Sequence, residues 1–456
     1  MKQWTLIAGP LMALGLGIGL SLAGWSSPIA WTAGITALTA CWWIFEPIPI
    51  PATSLLPLAL LPLVGVISPA KVGESYGNPL ILLLLGGFML SSAMERSGAH
   101  RRIALSMVGL FGANSGRGLV FGFMTASAVL SMWISNVATT LMLLPVVLAL
   151  IEKITDPRLR VALLLGIAYA ASVGGVGTPV GTPPNLIFME VYAENFGTEP
   201  SFLEWMSWAV PVVVVMIPCV ALWLTRGLKP HEPIELPEVG QWRPAEARTL
   251  LIFGITALLW VTRKAPWGGW SGFLDLPHAN DASVALLAVV VMFLVPNGAG
   301  GRLLDWKTAA GIPWGILILF GSGIAIAKAF VASGLSAVLG ELLAGFVEAS
   351  HPLVLIGLLC FFVMFLTEIT SNTATTTLLM PILAAAALAG EIDARLIMVP
   401  ATISASFAFM LPVATGPNAI VFGSGQFSVR AMAREGLALN VIGTVVVTGI
   451  CYWLFA

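Results

Sequence analysis

Apolar runs, many of about 18 to 25 residues, recur from one end of the chain to the other, and each is close to the length a helix needs to cross a bilayer. They lie at 5–24, 28–45, 50–68, 79–93, 161–179, 207–225, 248–262, 283–296, 312–331, 396–412 and 437–455. Two further pairs, 118–134 with 138–152 and 352–368 with 374–389, are each interrupted at a Ser-Asn step, as in a hairpin that enters and leaves one side. The runs are continuous and do not alternate with period two, which disfavours a β-barrel. An all-α polytopic membrane protein is therefore expected. Composition agrees: of 456 residues, 58% are apolar and 9% charged, and mean hydropathy is +0.96, whereas soluble domains are roughly 25% charged.

The longest polar connection, 226–249, lies near the middle of the chain and reads as a linker between an N-terminal half, 1–225, and a C-terminal half, 250–456. Lysine and arginine set orientation. Arg96, Arg101, Arg102 and Arg117, with Arg226, Lys229, Arg243 and Arg248 of the linker, place those loops in the cytoplasm. Lys2 suggests an internal N-terminus, and Arg430 and Arg434 an external C-terminus, so the number of full crossings is odd; eleven plus two hairpins is expected. Residues 5–24 read as a retained first span and not as a cleaved targeting segment. Trp25, Trp31, Trp42, Trp43, Trp205 and Trp208 stand near segment ends and read as interface anchors. The four cysteines are far apart in apolar surroundings, which supports neither disulfides nor zinc. A formal net charge of −1, with basic residues confined to short loops, gives no footprint for nucleic acid.

Three blocks recur in the same order. Gly86 in ILLLLGGFML answers Gly321 in ILILFGSGIA at an offset of 235; SNVATTLMLLP (135–145) answers SNTATTTLLMP (371–381) at 236; and Asn185 in GTPPN answers Asn418 in ATGPN at 233. This ordered recurrence indicates an internal structural repeat. Each half thus carries two interruptions of its apolar pattern, a Ser-Asn step and, some 45 residues later, a Gly/Pro-rich break. Proline removes an amide donor and restricts the residue before it. Backbone freed in hydrocarbon costs several kcal/mol per unsatisfied group, so such breaks persist only where protein, a cavity or a ligand satisfies them. Four interruptions at matching places point to one central site at the repeat interface, the anatomy of a secondary transporter.

The central motifs hold no Lys, Arg or His. Amide N–H groups at helix starts, with hydroxyl and carboxamide donors, suit an anion, and carbonyl, hydroxyl and carboxamide oxygens suit sodium. A bland reading stands beside this one: single threonines of the ATTT run bond their own backbone, and the paired glycines serve packing. Asn136 and Asn372, costly in a membrane and placed alike in both halves, favour a site. Glu368, three residues before Ser371, is open between a coupling ligand and a carboxylate satisfied elsewhere; its counterpart is Met132. An enzyme would need a nucleophile with an acid/base partner at the centre, and none is evident.

SMWISN (131–136), TEITSNTATTTLLMP (367–381), GTPPN (181–185) and MLPVATGPNAIVFGSG (410–425) together resemble the divalent anion:sodium symporter family, carriers of dicarboxylates, citrate or sulfate, over nearly the whole chain. The resemblance implies a homodimer in a bacterial cytoplasmic membrane, with a fixed scaffold, a mobile transport domain and elevator-type alternating access. It implies no cofactor, with sodium as coupling ion. One sodium would be held around Ser131, Ser135, Asn136 and Gly181, and another around Thr367, Thr370, Asn372 and Ala414. Ser135, Asn136, Ser371, Asn372, Thr373 and Thr415 would approach a small anionic substrate, with a C4-dicarboxylate expected and sulfate, another anion or anion exchange as alternatives. Two positions in the substrate region depart from the family pattern: Val137, where a threonine hydroxyl is usual, and Gly416, where the usual residue is proline.

Overall fold

The computed structural model describes residues 2–111, 115–228 and 239–456. Among them the regular structure is α-helical, with one isolated bridge between Pro296 and Arg302. Among the described residues nine helices are long and apolar enough to cross a membrane, beginning with Trp4–Leu22 and ending with Val429–Phe455. Length alone thus gives nine, against the eleven crossings and two hairpins expected. The difference lies in shorter apolar helices such as Asn136–Ile151, Asp281–Leu294, Pro352–Thr367 and Arg395–Ala405, several of which stop at a Ser-Asn step or a Gly/Pro break.

From Pro79 onward the two halves run through the same series. Pro79–Ser97 and Trp314–Ser333 each end on a left-handed glycine, Gly98 and Gly334. Each is followed by a second helix, Ala99–Phe111 or Leu335–Ala349. Next come the paired helices Gly116–Ser131 with Asn136–Ile151, and Pro352–Thr367 with Asn372–Ala389. Broken helices follow: Pro157–Gly175 resumes as Pro183–Phe196, and Arg395–Ala405 resumes as Gly416–Phe422. A long helix, Phe202–Leu224 or Val429–Phe455, closes each series.

The halves interlock. Asn136–Ile151 packs on Gly416–Phe422 of the other half, and Asn372–Ala389 packs on Pro183–Phe196. The repeat glycines serve close approach: a β-carbon on Gly86 would lie 2.7 Å from Ala285 Cβ, and one on Gly321 would lie 2.9 Å from the Tyr76 ring.

The stretch read as linker, 226–249, overlaps the start of a helix. Residues 229–238, including Lys229 and His231, lie outside the described residues, and helix Pro244–Val261 already starts within 226–249. Pro244 occupies its first turn, and Glu246 accepts from Arg243 N at 3.0 Å, both favourable at a helix start. Glu246 also pairs with Arg102 at 2.9 Å, and Arg102 donates to Gly240 O, so the linker's end is fastened to Ala99–Phe111.

The interface reading of the tryptophans needs correction. Trp43 and Trp205 are fully buried, and Trp208 nearly so. Their length lets a ring near a helix end fold into protein once its N–H finds an acceptor: Trp43 Nε1 donates to Ser54 Oγ at 3.0 Å, and Trp205 Nε1 to Val176 O at 2.8 Å.

Candidate functional site

Four helices begin at one cavity of about 680 Å³: Asn136–Ile151, Pro183–Phe196, Asn372–Ala389 and Gly416–Phe422. Its wall includes Ser135, Asn136, Val137 and Thr182 from the first half, and Thr370, Ser371, Asn372, Thr373, Ala414, Thr415 and Gly416 from the second. The opposite wall is apolar and comes from elsewhere, with Ile44, Phe45, Ile50, Phe88, Pro313 and Ile316. Glu46 is the single ionisable side chain in the lining, so no lysine, arginine or histidine faces the space. Ser135 and Ser371 sit at N-cap positions, yet neither side chain makes a capping bond. The first-turn amides and these hydroxyls are thus free to meet an anion, at ends where the helix dipole favours negative charge.

Ser131, Gly181 and Thr367 lie one layer behind the wall. Ser131 Oγ donates to Asn136 Oδ1 at 2.6 Å, and Thr367 Oγ1 lies 2.7 Å from Asn372 Oδ1, the same bond 236 residues later. Thr367 Oγ1 is also 2.8 Å from Ala405 O; one hydroxyl proton cannot serve both acceptors at full strength. Around Gly181 a β-carbon would lie 3.0 Å from both Ser131 O and Met132 O and would collide with Gly175 O. A β-carbon on Gly175 would lie 2.5 Å from Asn136 Oδ1. Each half therefore gathers neutral oxygens behind its Ser-Asn tip, hard ligands of the kind sodium takes. Among the described residues no group of three or more His, Cys, Asp or Glu is placed to hold a metal.

The breaks are satisfied by a repeated device. Asn185 Nδ2 donates to Gly175 O (3.1 Å) and Thr178 O (2.7 Å), and Asn418 Nδ2 to Ala408 O (2.9 Å) and Leu411 O (3.0 Å), ten and seven residues back in both halves. Both asparagines are fully buried. Thr178 Oγ1 donates to Met132 O, which ties the first break to the first tip.

Residues 4–455 match the family described as "Sodium:sulfate symporter transmembrane region". The chain belongs to the divalent anion:sodium symporter family. A member of this family is an integral membrane transporter and not an enzyme. The chain is 39% identical to the "Sodium-dependent dicarboxylate transporter SdcS" of Staphylococcus saprophyticus, over 98% of this chain and 90% of that protein. It is 38% identical to the protein of the same name from Staphylococcus aureus MRSA252, over 92% and 85%. Among solved structures, the YdaH transporter of Alcanivorax borkumensis superposes with a TM-score of 0.62 at 15% identity, over 84% of this chain and 87% of that one. MtrF of Neisseria gonorrhoeae gives 0.51, also at 15% identity, over 84% and 83%. At such identity these two show the fold alone.

Within this symporter chain, three further residues matter that motif reading did not single out or did not place. Glu368 is buried and does not line the cavity. Its Oε1 accepts from Phe409 N (2.7 Å), Met410 N (2.9 Å) and Asn440 Nδ2 (2.9 Å), and its Oε2 from Leu411 N (3.1 Å), so it holds the second break. Asn440, a lone carboxamide in the last long helix, was detectable by the rule that a buried polar residue in a membrane has a task. Trp205 covers Val176 O in the first break and carries no motif signal. Two threonines of the ATTT run follow the bland reading, Thr376 and Thr377 donating to Asn372 O and Thr373 O one turn back, whereas Thr375 meets the Thr370 hydroxyl at 2.6 Å.

Proposed function

We propose that the protein is a sodium-coupled symporter of a divalent organic anion, of the C4-dicarboxylate class, working by an elevator-type movement in the bacterial cytoplasmic membrane. The observation that carries this reading is the cavity where both Ser-Asn tips meet both resumed helices without a basic side chain. A dianion there adds two negative charges to a lining that holds Glu46 and no basic side chain, and like charges repel. Helix N-termini offset part of this, and cations at the oxygen clusters behind each tip offset the rest. Ser131, Ser135, Asn136 and Gly181 would hold one sodium; Thr367, Thr370, Asn372 and Ala414 would hold the second. Ser135, Asn136, Val137, Ser371, Asn372, Thr373, Thr415 and Gly416 would surround the anion. The dicarboxylate transporters of Staphylococcus to which the chain is similar favour a dicarboxylate.

Coupling follows from shared atoms. Asn136 and Asn372 each face the cavity with the tip and reach back to the oxygen cluster through Oδ1. Sodium therefore fixes the carboxamide that the anion meets, and an unfilled pocket lacks its organised tips. The cavity lies between the interlocked tips and breaks on one side and the 44–50 and 313–316 walls on the other. That supports a transport unit of two hairpins and two broken helices, repeated in inverted topology within eleven crossings, sliding against a scaffold. The homodimer expected of the family would hold that scaffold in place.

In proteoliposomes empty of anion, an inward sodium gradient is expected to drive succinate accumulation, with potassium or proton gradients failing to replace it. Asn136→Ala and Asn372→Ala are each expected to lower that uptake by about 100-fold, which at 1.4 kcal/mol per decade corresponds to roughly 3 kcal/mol, while membrane insertion persists. Uptake that needs internal anion would replace symport with exchange. Accumulation of sulfate without succinate would replace the substrate.

A further inference from the structure

Val137 and Gly416 come from different halves and touch at the cavity wall: a β-carbon on Gly416 would lie 2.5 Å from Val137 Cγ2. The internal repeat supplies the comparison. At an offset of 236 the counterpart of Val137 is Thr373, and at 233 the counterpart of Gly416 is Pro183. All four line the same space. Valine thus meets glycine at one place in the wall, where the repeat has threonine and proline as the corresponding residues. Gly416 opens its helix without a positive φ, and its counterpart, Pro183, fills the same first-turn position as a side chain well suited there. Backbone conformation therefore does not call for glycine at 416; the valine methyl does. Valine at a helix start has little rotameric freedom with which to move aside.

Resting on the symport reading, we propose that Val137 and Gly416 form one specificity unit that makes the two ends of the site chemically unequal. Thr373 offers a hydroxyl with no partner among the described residues, whereas Val137 offers only methyl groups. A C4-dicarboxylate bound across the two ends meets Ser371, Asn372 and Thr373 with one carboxylate and Ser135 and Asn136 with the other, and the carbon beside that second carboxylate faces Val137. The site thereby selects an unsubstituted C4-dicarboxylate over its 2,3-dihydroxy analogue: whichever way round that analogue binds, one hydroxyl meets Thr373 while the other loses water against Val137 and gains no donor or acceptor in return. An apolar wall discriminates against an added hydroxyl by about 10- to 100-fold.

Initial uptake of succinate and of tartrate, with the sodium concentration for half-maximal rate, tests this in the full-length protein. Wild type is expected to favour succinate by at least about tenfold, and Val137→Thr to narrow that ratio about tenfold with its sodium dependence unchanged. Gly416→Ala should slow both substrates about tenfold, and the double change Val137→Ala with Gly416→Ala should recover most of that loss, since the colliding methyl is gone. An unaltered ratio in Val137→Thr, a parallel change in sodium dependence, or an equal Gly416→Ala loss with and without Val137 would overturn the proposal. A wild-type protein that moves neither dicarboxylate under a sodium gradient overturns the dicarboxylate reading of the site itself, and this inference falls with it.

Discussion

Gly181→Ala is expected to cut sodium-driven uptake by about 100-fold, roughly 3 kcal/mol at 1.4 kcal/mol per decade, and to do so through the cation. A methyl at this position would stand 3.0 Å from Ser131 O and Met132 O and against Gly175 O, in the space those carbonyls enclose. Asn136 Oδ1 and Ser131 Oγ adjoin the same space. The oxygens are acceptors, and the donors nearby are already engaged, Ser131 with Asn136 and Thr178 with Met132 O. The sodium proposed to sit among them would turn mutual repulsion into coordination; a methyl group would expel it and give nothing back. Thermal unfolding in detergent separates this from general damage. Wild type should gain several degrees on adding sodium, and Gly181→Ala should keep only the share due to the second cluster at Thr367 and Asn372. A sodium response equal to wild type would show that Gly181 serves packing alone.

Much of the architecture was readable because a bilayer punishes free backbone. Gly, Pro and Asn in the midst of apolar runs mark where helices stop, and the offsets that align Asn136 with Asn372 and Asn185 with Asn418 also align their hydrogen bonds. What could not be read depends on distances across the chain. Asn440 reaches Glu368 over 72 positions, and Trp205 reaches Val176 over 29; no local pattern encodes either. The start of helix Pro244–Val261 was legible in its own first turn, Pro244 followed by Glu246, but the polar run around it suggested a longer linker. Position alone misled for Trp43 and Trp205, since a tryptophan near a helix end can lie at the lipid interface or inside the protein.

For Glu368 the two halves set the terms of the test, because the first half carries Met132 at the matching place. Glu368→Met would leave three backbone amides and the Asn440 carboxamide without their acceptor. At about 1–3 kcal/mol for each buried donor left unpaired, the total is about 4–12 kcal/mol, comparable with the roughly 5–15 kcal/mol that holds a folded domain together. The expected result is protein that inserts poorly and aggregates on extraction. Glu368→Gln is the gentler and more telling change. Its carbonyl can take the place of Oε1 and keep three bonds, while its NH₂ faces the Leu411 amide that Oε2 now accepts. One bond is lost and two donors are opposed, so the variant should fold with a melting temperature several degrees lower. Because the carboxylate faces the break and not the cavity, the sodium concentration for half-maximal uptake should stay at the wild-type value. Wild-type stability with a weakened sodium response would reverse the assignment and make Glu368 a ligand in the transport cycle.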